Sequence, residues 1–126
     1  QLVKTNRNNL ILDYYNANPT SMELAIKNFE NIKDNSKGLI LGDMLELGED
    51  SEIEHKKILE YISNKSFKKV YLIGPHFYKF KEEYGFNFFN SVDDFAKHIV
   101  KNPETGNFFL IKGSRGIKLE KCTDYL

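Results

Sequence analysis

An α/β domain, with a mostly parallel sheet covered by helices, is the fold class this sequence predicts, and three observations carry it. Strand-like and helix-like segments alternate along the chain. The strand-like segments are continuous apolar runs, such as Gly38-Leu39-Ile40-Leu41-Gly42, Val70-Tyr71-Leu72-Ile73-Gly74 and Phe108-Phe109-Leu110-Ile111, and each runs straight into a polar loop. Runs of this kind belong to strands buried on both faces, whereas a half-exposed strand alternates polar with apolar.

Taken in order, Leu2-Val3-Lys4-Thr5 and Leu10-Ile11-Leu12 flank the turn-forming Asn6-Arg7-Asn8-Asn9 and read as strand, turn and strand. Asn18-Pro19-Thr20-Ser21 starts a helix, because proline at a first helical position leaves no N–H unpaired. Met22, Ala25, Ile26, Phe29 and Ile32 then make one apolar stripe. After the Gly38–Gly42 strand comes the loop 43–48. Ser51-Glu52-Ile53-Glu54 has the spacing of a capping box, with Ile58, Leu59 and Ile62 continuing that helix. The Val70–Gly74 strand leads into a short helical segment opened by Pro75-His76-Phe77-Tyr78. Phe86 to Phe89 is a further strand, Ser91 caps a helix whose face holds Val92, Phe95, Ala96 and Ile99, and Phe108 to Ile111 is the last strand.

The chain has 126 residues, 40% hydrophobic and 29% charged, which suits one globular core with no internal domain boundary. Eighteen Lys and Arg balance eighteen Asp and Glu, so no overall field draws the chain to nucleic acid or anionic lipid, and any bound anion needs a local site. Cys122 is the only cysteine, which excludes an internal disulfide and a cysteine-based zinc cluster and fits a reducing, cytoplasmic setting. No apolar run reaches the roughly 20 residues of a membrane span. The start at Gln1, without methionine, is read as the interior of a longer protein.

In a parallel sheet ligands sit beyond the carboxyl ends of the strands. Four polar loops are expected there: Asp13 to Ser21, Asp43 to Gly48, Gly74 to Phe77 and Lys112 to Gly116. Lys112-Gly113-Ser114-Arg115-Gly116 combines two positive charges, a hydroxyl and two glycines; Arg grips a carboxylate with two parallel hydrogen bonds, and the plainer alternative is a polar turn. Asp13 is placed to accept from ribose hydroxyls. Asn16 and Asn18 suit phosphate or water contacts, or equally turn and cap chemistry. Asp43 and Glu46 are able to meet an ammonium group or metal-bound water, or to stand in solvent. His76 sits in a strand-end loop where it can touch a ligand, while His55 and His98 have no His or Cys at ligand spacing, so no metal ligand is assigned. Tyr14, Tyr15 and the phenylalanines read as core or rim, since no basic stripe accompanies them. A P-loop pattern, Gly-x-x-x-x-Gly-Lys-[Ser/Thr], is absent.

Three segments, Asp13-Tyr14-Tyr15-Asn16-Ala17-Asn18-Pro19-Thr20-Ser21-Met22, Leu41-Gly42-Asp43-Met44-Leu45-Glu46-Leu47-Gly48 and Leu110-Ile111-Lys112-Gly113-Ser114-Arg115-Gly116, in this order resemble the Mur ligases. The likeness is strongest to the member that adds D-alanyl-D-alanine to UDP-N-acetylmuramoyl-tripeptide in peptidoglycan synthesis. The resemblance implies the carboxyl-terminal domain, 1–126, a Rossmann-like three-layer fold of about six mostly parallel strands with helices on both faces. It implies an amino-terminal domain for the UDP-sugar and a central domain that carries the P-loop and holds most of the ATP and Mg2+. By the same resemblance Asp13, Asn16 and Asn18 would belong to the ATP site, and Lys112, Ser114, Arg115, His76 and Asp43 to the dipeptide site. The domain is then inactive alone. Tyr14 and Leu59 depart from the family, which often has a smaller residue and a glycine there. The competing reading is a free-standing flavodoxin-like module binding a small anion or a regulatory partner. Its phosphoacceptor form is disfavoured, because Asp13 has no adjacent acidic residue and the third strand ends in Ile73-Gly74.

Overall fold

Successive side chains of a strand point to opposite faces, so an apolar run must be covered twice. The computed structural model, which describes residues 1–14 and 16–126, shows that cover; the reading of Tyr15 lies outside the described residues. Six strands run β1 (Leu2–Lys4), β2 (Asn9–Asp13), β3 (Lys37–Gly42), β4 (Lys69–Ile73), β5 (Asn87–Phe89) and β6 (Phe108–Lys112). They lie side by side in the order β1-β2-β6-β3-β4-β5. β1 and β2 form an antiparallel hairpin, and every other pairing is parallel.

Helices α1 (Pro19–Glu30), α2 (Ser51–Ser63) and α3 (Pro75–Tyr78) bury Met22, Ile26, Phe29, Ile58, Leu59 and Phe77 against Leu39, Leu41, Leu72 and Leu110. On the other face α4 (Val92–Lys101) sets Phe95 and Ile99 against Ile40, Tyr71, Phe109 and Ile111. The alternation Leu39, Ile40, Leu41 between these two cores is the direct result of the apolar run. The second core is completed by two 3-10 segments, Arg115–Ile117 and Leu119–Tyr125, which bring in Leu119, Cys122 and Leu126. No sequence signal pointed to them, because a short 3-10 stretch has no helical apolar stripe. Burial pushes the Cys122 thiol up to about 12, so it packs as an apolar group and is not a thiolate near neutrality.

The caps divide into two agreements and one correction. Asn18 is the N-cap of α1, with its side chain accepting from Ser21 N–H at 2.8 Å while Ser21 reaches back to the Asn18 backbone. The expected box at Ser51-Glu54 does not form. Asp50 is the N-cap of α2, has helical backbone angles and makes no side-chain cap, since a 3-10 turn over Gly48–Asp50 leads directly into the helix. The stripe of α1 also stops short, because the helix ends at Glu30 and Ile32 lies beyond it, 36% exposed. Ser91 caps α4 as expected, accepting from Asp94 N–H at 3.1 Å.

Replacing Asn18 by Ala removes the acceptor for Ser21 N–H and should cost about 1 kcal/mol of stability in urea unfolding, whereas Asn18→Asp, which keeps an acceptor, should cost much less.

Candidate functional site

All four strand-end loops meet at one edge of the sheet, and side chains tie them together. Lys112, at the end of central β6, is 1% exposed. Its Nζ donates to Asp13 Oδ2 at 2.7 Å and to the Asn16 carbonyl at 2.6 Å, which fixes the β2–α1 loop to β6. Gly113 follows, where a Cβ would stand 2.8 Å from Gly42 Cα, so only glycine lets the ends of β6 and β3 approach. That approach places Ser114 between the loops: its N–H donates to Asp43 O at 3.0 Å, its Oγ accepts from Leu45 N–H at 2.8 Å and donates to Ala17 O at 3.3 Å.

A second knot joins β3, α2 and α3. Asp43 is fully buried, and its carboxylate accepts from His76 N–H at 2.7 Å and Phe77 N–H at 2.9 Å. These are first-turn donors of α3, whose own N-cap is Gly74, a residue with no side chain to offer. Gly74 has φ 128°, and a Cβ there would lie 2.3 Å from Asp43 Cγ. The sequence therefore places glycine on one strand and the capping carboxylate on its neighbour.

His55, also fully buried, takes Met44 N–H on Nε2 at 3.0 Å, so that nitrogen carries no proton. Its Nδ1–H donates to Ser51 O at 2.7 Å. Although Asp43 Oδ1 is 3.8 Å from His55 Nε2, the contact joins a neutral ring to the carboxylate. Burial pushes His55 down and Asp43 up from their ordinary values; backbone hydrogen bonds to Asp43 pull the latter partly back. The Ser51 hydroxyl, free of capping duty, lies 3.0 Å from His76 Nδ1, and the two imidazoles stack with centroids 5.2 Å apart.

Between residues 16–18, 45–47 and 114–116 lies an open cleft of about 440 Å³. Of the residues assigned from sequence, Asn16, Asn18, Ser114 and Arg115 line it. Asn16 and Arg115 are exposed. Asp13 stands nearby with 39% of its side chain exposed despite the Lys112 bond. Five of the assigned side chains are engaged within the fold itself. Lys112 and Asp43 face inward, because an ammonium at a buried strand end and a carboxylate over unpaired helix donors are both satisfied by the fold. Asn18 is occupied as a cap, and Ser114 as a spacer between loops. His76 is half-buried, tied to Ser51 and outside the cleft. Missed residues are Ala17, Leu45 and Leu47, which form apolar wall, and Glu46, weighed with Asp43 as an ammonium partner but not selected. A larger depression of about 900 Å³ lies around Glu30, Lys37 and Lys65. There Lys37 is bound to the α1 carbonyls of Phe29 and Glu30, and Lys65 is paired with Glu30, leaving a solvated rim.

Among the described residues no group of three His, Cys, Asp or Glu side chains is placed to hold a metal ion. No helix among them is long and apolar enough to cross a membrane.

The doubly covered, mostly parallel sheet, with its polar cleft beyond the carboxyl ends of β2, β3 and β6, defines a Rossmann-like α/β domain. Family comparison narrows this class. The model described as "Mur ligase, glutamate ligase domain" matches residues 1–115, and the chain belongs to the Mur ligase family as its carboxyl-terminal domain. It is 35% identical to the UDP-N-acetylmuramoyl-tripeptide--D-alanyl-D-alanine ligase of Rickettsia prowazekii, covering 99% of this chain and 29% of that protein. The Bacillus subtilis ligase of the same name is 34% identical, with 96% of this chain and 28% of that one covered. The chain thus spans under a third of these relatives. The MurF ligase of Thermotoga maritima solved with ADP superposes with a TM-score of 0.78 at 21% identity, over 98% of this chain and 29% of that one. For MurF of Acinetobacter baumannii the values are 0.79 and 23%, over 98% and 28%. Both show the shared fold.

Two measurements test the second knot. Gly74→Ala combines a positive φ with a clash against Asp43 and should lower stability by about 2–4 kcal/mol in chemical unfolding. Because His55 has a folded value below its ordinary 6.5, the unfolded chain takes up the proton first as pH falls, so the stability held by the neutral ring is full above that value and is lost below it. Asp43, shifted up from 3.8, acts in the opposite sense, so the comparison with His55→Gln isolates the histidine. The unfolding free energy should therefore decline from roughly pH 7.5 to 5.5, and His55→Gln, though less stable, should show a shallower decline.

Proposed function

We propose that residues 1–126 are the carboxyl-terminal domain of an ATP-dependent ligase that joins D-alanyl-D-alanine to UDP-N-acetylmuramoyl-tripeptide during peptidoglycan synthesis in the bacterial cytoplasm. One observation carries this reading: Arg115 lines the cleft at the sheet edge, in a chain whose relatives bear that activity in their names. Family membership also favours it over the free-standing flavodoxin-like module.

In this reading ATP phosphorylates the tripeptide carboxylate on the other domains. The dipeptide ammonium first gives up one proton to water; the resulting amine attacks the acyl carbon, the amide bond forms as the bond to phosphate breaks, and the second proton leaves with the phosphate. Mg2+, by neutralising phosphate charge, would act with ATP on the central domain. This chain's residues bind and orient. Arg115 holds the dipeptide carboxylate through paired charge-assisted hydrogen bonds. Ser114 sets the height of that loop by bonding Leu45 and Ala17. The exposed part of Asp13 meets the ATP ribose and Asn16 the nucleotide side of the closed site. His76, fixed by Ser51, forms an outer wall. Holding the amine against the acyl phosphate in a site shared by three domains supplies proximity and excludes water, the largest contribution a domain without a phosphate-binding loop can make.

In the full-length enzyme Arg115→Ala should raise KM for D-alanyl-D-alanine by about tenfold or more, corresponding to about 1.5–3 kcal/mol, with kcat much less affected. Arg115→Lys should recover only part of this, since one point charge cannot replace the fork. An unchanged KM in steady-state assays would count against the reading. Residues 1–126 alone should form no amide bond.

A further inference from the structure

The charge pattern of the cleft specifies its ligand more narrowly than Arg115 does. Of the residues that line it, two carry formal charge, Arg115 from the β6 loop and Glu46 from the β3–α2 loop, both exposed. Lys112 and Asp43, also at this edge, are engaged on Asp13 and on the start of α3, and Asp13, 39% exposed, is not among the cleft-lining residues. One positive and one negative group on different loops, in a cleft also lined by Ala17, Leu45 and Leu47, suit a small zwitterion with apolar substituents. A polyphosphate or a dicarboxylate would meet the Glu46 carboxylate as a like charge.

Glu46 also has φ 64°, in the left-handed region that glycine or asparagine adopts at less cost. The loop before it is held, since Leu45 N–H donates to Ser114 Oγ. A carboxylate on a strained backbone at the mouth of a cleft is the kind of local cost that accompanies a binding role.

We infer that Glu46 receives the ammonium end of the incoming dipeptide while Arg115 receives its carboxylate, so that the two loops measure the length of a zwitterionic peptide and present its amine. This rests on the proposed function and names the specificity residue of that same site.

The test uses the full-length enzyme with two probes: D-alanyl-D-alanine as substrate, and N-propionyl-D-alanine, which keeps the carboxylate but lacks the amine, as competitive inhibitor. Glu46→Gln should raise KM for the dipeptide about fivefold or more and leave Ki of the inhibitor within about twofold. Glu46→Gly should show the same selective loss while raising the melting temperature, because it relieves the positive φ. If both probes weaken equally, or neither changes, Glu46 does not read the amine and the inference is overturned. Arg115→Ala separates the two levels: it should weaken both probes, and its failure to weaken either would overturn the proposed function itself.

Discussion

Lys112 carries an ammonium group to the end of a central strand, 1% exposed, and the way that charge is satisfied organises the whole carboxyl edge. A charge removed from water must find fixed partners. Lys112 finds the Asp13 carboxylate and the Asn16 carbonyl, both on the neighbouring β2–α1 loop. The loop is thereby held against β6, Asn18 begins α1 from a fixed point, and Ala17 O comes within reach of Ser114. Asp43 does the same on the other side of the sheet edge, joining β3 to α3 through two backbone N–H groups.

The consequence is a separation of charges by duty. Those at the last position of a strand or just beyond it, Asp13, Asp43 and Lys112, hold loops together. Those three positions further along, Arg115 and Glu46, reach the cleft. Loop tips carry function on a scaffold whose stems are rigid, and here the stems are rigid because polar groups, not apolar ones, join them. The two buried histidine-associated contacts extend the scaffold to α2, since His55 holds Met44 N–H and Ser51 orients His76.

Much of the fold was legible because the apolar runs of β3, β4 and β6 leave no choice but a doubly covered sheet, and because Asn18-Pro19 and Ser91 are unambiguous helix starts. Ser51-Glu54 misled for a definite reason: the spacing of a capping box says nothing about a 3-10 turn arriving from Gly48, which takes up the helix start and frees the hydroxyl for the histidines. At the carboxyl edge, the sequence located the loops that gather there but not the direction of each side chain. Asp43 and Glu46 are both loop carboxylates in sequence. Only the pairing of β3 with β4 shows that Asp43 faces the bare start of α3, while Glu46 turns outward at a left-handed residue. The same holds for Lys112 and Arg115, three residues apart, one inside and one outside.

The most direct test is a crystal structure of the full-length protein with D-alanyl-D-alanine bound. The account predicts the dipeptide in the cleft between Asn16, Glu46 and Arg115, its carboxylate on the Arg115 guanidinium, with Lys112 Nζ still on Asp13 and the Asn16 carbonyl. A Lys112 that has left Asp13 to hold the ligand, or a dipeptide bound away from this cleft, would contradict it.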